Sequence, residues 1–175
     1  LKILKDTINA WEKVEKVAIT DALDRNIAYD VTAAENYPAK PVSAMDGYAF
    51  AFKDGLSELE LITDLPAGSD KGLVIEGSKC VKTFTGSLMS EGTDTLVPVE
   101  NVEVSGSKII IKKSVPKGFA VREVGESYKK GEILIKKGTR LTYAEIALLA
   151  ELGVFHVSVF IRPRVAILAT GSEIK

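Results

Sequence analysis

Short apolar runs separated by turn residues fill the chain between Tyr48 and Val124, and this pattern constrains the fold more than any other feature. The runs lie at residues 48–52, 59–65, 73–75, 79–84, 95–99, 102–104, 108–111 and 120–124. Glycines mark most of the gaps, as in tight turns between strands. The clearest hairpin turn is Ser105-Gly106-Ser107, between two β-branched runs. The pattern predicts a compact, mostly antiparallel β domain.

A helix is predicted after this region. Thr142-Tyr-Ala-Glu145 matches a capping box, in which the threonine and glutamate side chains bond to free amide groups. Apolar residues follow at the spacing of one helical face, namely Ile146, Leu148, Leu149 and Leu152. Gly153 then supplies a C-terminal stop. A similar apolar spacing predicts a further helix over Lys2–Val14.

Two strands are predicted beyond the capped helix. Val154–Phe160 alternates between apolar and polar residues, and His156 is a residue on one face of that strand. Residues 164–170 form a continuous apolar run, which is typical of a strand buried on both faces of a parallel sheet. Because such a strand needs neighbours, we expect the sequence to stop just inside a further α/β domain.

The composition excludes several classes of function. The 175 residues include 23 basic and 24 acidic side chains, so the formal net charge of −1 gives no electrostatic reason to expect nucleic acid or an anionic membrane as a partner. No apolar run approaches the length of a membrane span. A single cysteine, Cys80, is expected to be an inert core residue and fits a reducing cytoplasm. With one histidine and one cysteine, a zinc site is disfavoured.

The segment Ser43–Phe50 carries the most informative polar residue. Asp46 stands beside Gly47, between a loop that Pro38 and Pro41 keep out of helix and an apolar run. A carboxylate on such a loop is how binding and catalytic groups are commonly presented. Asp-Gly before apolar residues is equally a hairpin signal. Both interpretations stay open on this segment alone.

Polar clusters recur where strands are predicted to end. They are Ser43/Asp46/Gly47, Thr85/Gly86, Asp94 through Glu100, Arg122/Gly125/Glu126/Ser127, and Thr170/Gly171/Ser172/Glu173. Carboxylates and hydroxyls are ligands that suit Mg²⁺ and oxyanion chemistry, and Arg122 is able to clamp an oxyanion bidentately. Gly171-Ser172 suits an anion at a helix N-terminus or a plain strand-to-helix turn. Each cluster alone is also explained as a turn or a helix cap.

The order of motifs along the chain resembles a known family. The motifs are Ala22-Leu-Asp-Arg-Asn-Ile-Ala, Ser43-Ala-Met-Asp-Gly-Tyr-Ala, Phe84-Thr-Gly, Gly92-Thr-Asp-Thr-Leu-Val, Arg122-Glu-Val-Gly-Glu, Gly138-Thr-Arg-Leu, Leu149-Ala-Glu-Leu-Gly and Pro163-Arg-Val-Ala-Ile-Leu-Ala-Thr-Gly-Ser-Glu. Together they are similar to the amino-terminal half of molybdopterin molybdenumtransferases, the MoeA-type proteins and the gephyrin E domain. The resemblance covers essentially the whole sequence.

The resemblance implies an activity and an assembly. Members of this family insert molybdate into adenylylated molybdopterin with Mg²⁺ and release AMP. They act as elongated homodimers whose active cleft lies between the third domain of one subunit and the second domain of its mate. A molybdopterin adenylyltransferase is compatible with this as a partner. The alternatives are a non-catalytic dimerisation and scaffold module of a gephyrin-like protein, and an unrelated β-rich ligand-binding protein.

The resemblance also assigns roles to residues. It implies that Asp46 lies on the metal or oxyanion side of the cleft. It also implies that Thr85 positions the ligand across the dimer and that Glu173 acts in the third-domain pocket. These three are the expected catalytic residues, and Asp46 is the expected metal ligand. The expected cofactor-binding residues are Ser43, Gly86, Arg122, Glu126, Gly171 and Ser172.

The implied architecture is α+β, β-rich and discontinuous. Residues 1–32 and 129–162 would form an elongated dimerisation domain, and residues 33–128 an inserted compact β-rich domain. Residues 163–175 would contribute the first strand of a truncated molybdopterin-binding α/β domain.

Three departures from the family pattern affect the expected ligand contacts. Val42 stands where Asn usually precedes Ser-Ala-Met-Asp, and Ser127 stands where an Asp usually follows Gly-Glu. Met89-Ser90 lies in the region where a proline is often found. The hydroxyl at position 127 replaces a carboxylate, which puts the ligand role of that position in question.

Because most of the molybdopterin-binding domain would lie beyond this sequence, we predict that residues 1–175 alone do not insert molybdate. An assay of molybdate insertion with this purified polypeptide checks the prediction. Turnover equal to that of a full-length homologue would contradict it.

Overall fold

The structure, a computed structural model, describes residues 12–66, 68 and 72–168. The chain divides into two compact units. We call residues 1–33 with 131–175 the split unit, and residues 34–130 the continuous unit. The predicted helix over Lys2–Val14 lies mostly outside the described residues. No helix in the described ranges is long and apolar enough to cross a membrane.

The continuous unit is built around a six-stranded sheet. Its strands are β4 (Gly47–Phe50), β5 (Glu58–Leu65), β6 (Lys79–Thr83), β7 (Thr95–Pro98), β8 (Val102–Ser105) and β9 (Lys108–Ile111), in the order β7-β4-β6-β5-β9-β8. All neighbouring pairs are antiparallel except β5 with β6. That parallel pair is possible because the connection between residues 66 and 78 supplies the length of about a dozen residues that a crossover needs.

The predicted hairpin is confirmed. Strands β8 and β9 pair antiparallel with Ser105 opposite Lys108, and Gly106 between them has a φ of 60°. The two short strands of the same unit, β3 (Val42–Ser43) and β10 (Val121–Arg122), pair with each other. They place the beginning of the Ser43–Phe50 segment beside Arg122.

Both faces of the six-stranded sheet are buried near its centre. Successive side chains of a strand point to opposite faces, and Tyr48 and Cys80 contribute to one apolar cluster while Ala49 and Val81 contribute to another. Burial raises the pKa of Cys80 to about 12. The prediction of an inert core cysteine is therefore confirmed.

The split unit contains the one α-helix of the described residues, α1 (Tyr143–Glu151). The capping box is confirmed, because Ala144 N–H donates to the Thr142 hydroxyl at 3.3 Å and Thr142 N–H donates to the Glu145 carboxylate at 2.8 Å. Leu149 of this helix is fully buried.

Two strand pairs complete the split unit. Strand β1 (Val14–Ala18) pairs antiparallel with β12 (His156–Phe160), and β2 (Val31–Thr32) pairs with β11 (Ile133–Ile135). The core of the unit joins them to the helix and consists of Ala22, Ile27, Ile135, Leu141, Leu149, Val157 and Val159. With short strands and one helix in the described residues, the prediction of a β-rich α+β chain is confirmed.

The apolar run after Pro163 differs from its prediction. Residues 164–168 belong to no strand, and Val165 and Ile167 are 79% and 91% exposed. A strand buried on both faces needs hydrogen-bonded neighbours, and no described strand lies beside this run. The end of the predicted strand lies outside the described residues.

Gly47 permits the close packing of β4 against β7. A Cβ atom at this position would lie 2.4 Å from the Val97 carbonyl oxygen and 2.5 Å from the Leu96 side chain. Backbone atoms cannot yield to such a contact as the end of a flexible side chain does. Glycine at position 47 is therefore required by the distance between the two strands.

Replacing Gly47 by alanine should destabilise the chain by about 3 kcal/mol, because the added methyl group forces β4 and β7 apart. Gly106→Ala is the matched control, since nothing lies within 4 Å of its Cβ position and its φ of 60° predicts a cost of only about 1 kcal/mol. Urea unfolding of both variants measures the difference. Equal losses would contradict the close-packing argument.

Asp94 joins three segments of the continuous unit. Its Oδ1 accepts hydrogen bonds from Phe52 N–H at 2.8 Å and from the Thr95 hydroxyl at 3.0 Å, and its Oδ2 lies 3.4 Å from Lys117 Nζ. Desolvation raises the pKa of Asp94, but these hydrogen bonds and the lysine charge outweigh it, so the pKa lies below its ordinary value. The ionised carboxylate therefore stabilises the fold.

Asp94→Asn should lower the free energy of unfolding at neutral pH by about 1 kcal/mol, because charge-assisted hydrogen bonds become neutral ones. A carboxylate whose pKa is lowered on folding contributes stability above its unfolded value of 3.8, and this contribution disappears as the pH falls through the folded pKa. Unfolding measured at pH 7 and near pH 3 should show the two proteins converging in acid. An undiminished difference in acid would contradict this assignment.

Candidate functional site

The segment that carries Asp46 is a loop between two different strand pairs. It leaves β3 at Ser43, which pairs with β10, and enters β4 at Gly47, which pairs with β6 and β7. Because β3 and β4 are not paired with each other, Asp46-Gly47 is not the turn of a hairpin. The hairpin interpretation of this segment is wrong, since each flanking strand finds a partner from elsewhere in the chain.

Thr85 holds the carboxylate of Asp46. The backbone N–H and the hydroxyl of Thr85 both donate to Asp46 Oδ1 at 2.8 Å. The backbone hydrogen bond is the largest cause of a lowered Asp46 pKa, the hydroxyl is the second, and the charge of Lys82 adds a smaller lowering against partial desolvation. The lowered pKa keeps the carboxylate ionised, the two hydrogen bonds orient it, and the exposure of both side chains makes it accessible.

Ser43 and Gly86 tie the Asp46 loop to the Thr85 turn. Gly86 N–H donates to the Ser43 carbonyl at 2.8 Å, and Ser43 N–H donates to the Ser87 carbonyl at 2.8 Å. The Ser43 hydroxyl donates to the Met45 carbonyl, and the residue is only 1% exposed. Gly86 adopts a φ of 81°, which favours glycine. Ser43 is therefore buried and stabilises the conformation of the Asp46 loop, whereas Gly86 is exposed to solvent.

Arg122 is oriented by the turn that follows it. Its Nε donates to Glu126 Oε1 at 3.1 Å, and its Nη2 donates to the Ser127 hydroxyl at 2.5 Å. The second oxygen of Glu126 accepts from Glu123 N–H at 3.2 Å. One edge of the guanidinium is therefore fixed by the protein, and Nη1 takes no part in either bond.

A cleft of about 390 Å³ connects these elements within the continuous unit. Its lining residues are Tyr37, Pro38, Ala39, Lys40, Val42, Gly86, Leu88 and Arg122. Two predicted cofactor-binding residues, Gly86 and Arg122, thus share one cleft. Thr85 directly precedes Gly86 in the chain, and Asp46 is linked to this side of the cleft through its hydrogen bonds with Thr85.

Three residues of this region were not identified from the sequence. Lys40 and Tyr37 line the cleft, and Lys82 places its Nζ 5.7 Å from the Phe84 ring centre and acts electrostatically on Asp46. The sequence signal for Lys82 is alternation along the predicted strand 79–84, which places residues 82 and 84 on one face shortly before Thr85. Nothing in the local pattern distinguishes Lys40 from an ordinary loop lysine.

The remaining predicted site residues divide between described and undescribed parts. Glu126 accepts a hydrogen bond from Arg122 and thereby orients the guanidinium group. Gly171, Ser172 and Glu173 lie outside the described residues. His156 lies on strand β12 and is exposed, as predicted for a strand-face residue.

The side chains in the described ranges offer no group of three or more His, Cys, Asp or Glu that could hold a metal ion. Mg²⁺ nevertheless needs few protein ligands, because it commonly keeps several waters and is bound by one or two carboxylates together with oxygens of a phosphorylated reactant. The single ionised carboxylate of Asp46 fits that limited role and does not fit a site made of protein ligands alone.

Comparisons with known proteins point to one family. The model of the MoeA N-terminal region (domain I and II) matches residues 1–153. A gephyrin from Dictyostelium discoideum is 32% identical over 188 aligned residues, which cover 98% of this chain and 26% of the gephyrin. A molybdopterin molybdenumtransferase from Bacillus subtilis is 33% identical, over 93% of this chain and 40% of that protein.

A solved structure agrees with these sequence matches. The molybdopterin biosynthesis moeA protein from Pyrococcus horikoshii OT3 superposes with a TM-score of 0.88 at 33% identity, over 93% of this chain and 45% of that one. The chain thus spans less than half of the length of each of these three relatives. The resemblance found in the motifs is confirmed. Since the family model covers well over half of the chain, the chain belongs to the MoeA family through its N-terminal region, domains I and II.

Proposed function

We propose that this chain forms part of a molybdopterin molybdenumtransferase, which acts in molybdenum cofactor biosynthesis by inserting molybdate into adenylylated molybdopterin with release of AMP. The observation that carries the proposal is the exposed carboxylate of Asp46, which is kept ionised by two hydrogen bonds from Thr85, the residue that precedes Gly86 of the cleft that contains Arg122. Relatives of the same domains are named for this transfer.

The electrostatics of the site suit anionic reactants. Molybdate and a phosphate anhydride both carry negative charge, and Arg122, Lys40 and Lys82 are cations placed around the cleft or near Asp46. Positioned cations stabilise the charge that develops during such a transfer. The transfer needs neither a histidine base nor a reactive thiol, which agrees with an inert Cys80.

The ionised carboxylate of Asp46 would repel these anions, so its presence in a site for anionic reactants requires an explanation. A divalent cation held by this carboxylate would remove the repulsion. We therefore propose Asp46 as the protein ligand of Mg²⁺, which when bound would neutralise charge on the reactants. Thr85 supports this role because it fixes one carboxylate oxygen at 2.8 Å through two donors.

The rest of the active site is proposed to come from outside the described residues. We propose that Glu173, with Gly171 and Ser172, belongs to a third domain, and that this domain faces the Asp46 loop of a second subunit in a cytoplasmic homodimer. The continuous unit and the split unit support the domain division that this arrangement needs. The chain covers 40% of a molybdenumtransferase relative, and we propose that turnover requires the complete protein.

A scaffold role is the second candidate. It is favoured by the match to a gephyrin over 98% of this chain. A scaffold function would require the two folded units but would not require the Asp46 carboxylate. AMP release by the unmodified complete protein therefore separates the two functions, and Asp46 variants test the role of the carboxylate.

Asp46→Asn in the complete protein should lower AMP release from adenylylated molybdopterin and molybdate by on the order of 100-fold, because it removes the charge that holds the cation. Stability should change little, since the side chain is exposed. Asp54→Asn is the control, because Asp54 is also an exposed aspartate beside a glycine in the continuous unit. Full activity of Asp46→Asn would exclude the enzymatic role of this carboxylate, whereas absence of AMP release by the unmodified complete protein would leave the scaffold function.

A further inference from the structure

Tyr37 provides an aromatic surface in the cleft, distinct from the charged groups to which the proposed reaction assigns roles. Its ring stacks on Tyr128 with ring centres 5.4 Å apart and an angle of 20° between the planes. It lines the cleft and remains 44% exposed. One face of the ring is thus supported by protein, while part of the side chain is open to solvent within a concave site.

The backbone fixes the position of this ring. Tyr37 N–H donates to the Tyr128 carbonyl at 2.9 Å, and the Tyr37 carbonyl accepts from Ser127 N–H at 2.9 Å. Gly125 N–H donates to the neighbouring Pro38 carbonyl at 3.0 Å. The turn that orients Arg122 therefore also orients Tyr37. A surface held in this way loses little conformational entropy when a ligand binds.

The lining of the cleft has two chemical parts. Tyr37, Pro38 and Leu88 are apolar or aromatic, whereas Lys40 and Arg122 are cationic. Among the described residues, no carboxylate lines the cleft, and Glu126 partly balances only the Arg122 charge. This combination is complementary to a ligand with a flat ring at one end and an anionic group at the other. The volume of about 390 Å³ lies at the lower end of the range for small-molecule sites.

We propose that the cleft is a subsite for a phosphorylated planar heteroaromatic ring, with the ring stacked on Tyr37 and the phosphate bound by Arg122 and Lys40. The inference rests on the proposed function, because adenylylated molybdopterin carries an adenine and a reduced pterin whose pyrimidinone part is flat, and both are connected to its phosphates. Stacking on a tyrosine accepts any flat ring. The chemistry therefore applies to both, and binding experiments decide between them.

Three probes separate ring recognition from phosphate recognition. AMP carries the adenine ring, 6-hydroxymethylpterin phosphate carries the pterin ring, and ribose 5-phosphate carries the phosphate without a ring. In the unmodified complete protein, the preferred ringed probe should bind on the order of 10-fold more tightly than ribose 5-phosphate, as measured by calorimetric titration. Equal affinities of all three probes would overturn the proposal without any substitution.

Substitutions then assign the preference to Tyr37. Tyr37→Leu should weaken the ringed probe by on the order of 10-fold and leave ribose 5-phosphate unchanged, whereas Tyr37→Phe should retain both affinities. Tyr29→Leu is the control, because Tyr29 is an exposed tyrosine of the split unit. Arg122→Gln should weaken all three probes. A loss of ring affinity in Tyr29→Leu as large as in Tyr37→Leu would overturn the assignment, as would an unchanged ring affinity in Tyr37→Leu.

The outcome is distinguishable from failure of the proposed function. If Asp46→Asn abolishes AMP release while Tyr37→Leu leaves ring affinity unchanged, the enzymatic function stands and the subsite is rejected. If ring binding depends on Tyr37 but Asp46→Asn releases AMP normally, the subsite stands and the role of Asp46 is rejected. Preference for AMP over the pterin phosphate, or the reverse, identifies which ring of the reactant the cleft holds.

Discussion

The close approach of β4 to β7 at Gly47 determines where the functional loop begins. A Cβ at this position would collide with the Val97 carbonyl, so only glycine allows β4 to begin this close to β7. Asp46 comes immediately before this point, and its own carbonyl accepts from Val99 N–H at 3.4 Å. The carboxylate thus lies at the beginning of an internal strand of the packed sheet, where hydrogen bonding and close packing hold the backbone.

This attachment explains how an exposed side chain keeps a defined orientation. An exposed aspartate usually samples several rotamers, but Thr85 offers two donors to one oxygen, and the Thr85 turn is itself bonded to Ser43 through Gly86. The hydrogen bonds form a closed path from the Asp46 loop to the Thr85 turn and back. Orientation comes from this path and accessibility from the exposure of the carboxylate, which is the combination that binding a cation or an anionic reactant requires.

Local sequence signals predicted those features that depend on neighbouring residues. The capping box at Thr142 and Glu145 and the hairpin around Gly106 both involve contacts a few residues apart, and both are confirmed. Pairing between distant strands is not encoded locally, so the sequence pattern did not predict the parallel β5–β6 pair. The same limit applies to the site: motifs singled out Asp46 and Thr85 separately, but their hydrogen bonds and the place of Tyr37 in the cleft follow only from tertiary structure.

Ser127 illustrates how one side chain adjusts the charge of such a site. The motif that this chain resembles has an aspartate here, whereas the serine accepts the Arg122 hydrogen bond without adding negative charge. Arg122 is consequently paired with one carboxylate, that of Glu126 at 3.1 Å, and its side chain is 36% exposed. Exposed ion pairs are weak, so much of the guanidinium charge is available to an incoming anion. The geometry of the turn is kept because a hydroxyl occupies the acceptor position, while the electrostatic potential of the cleft becomes more positive than two carboxylates would allow.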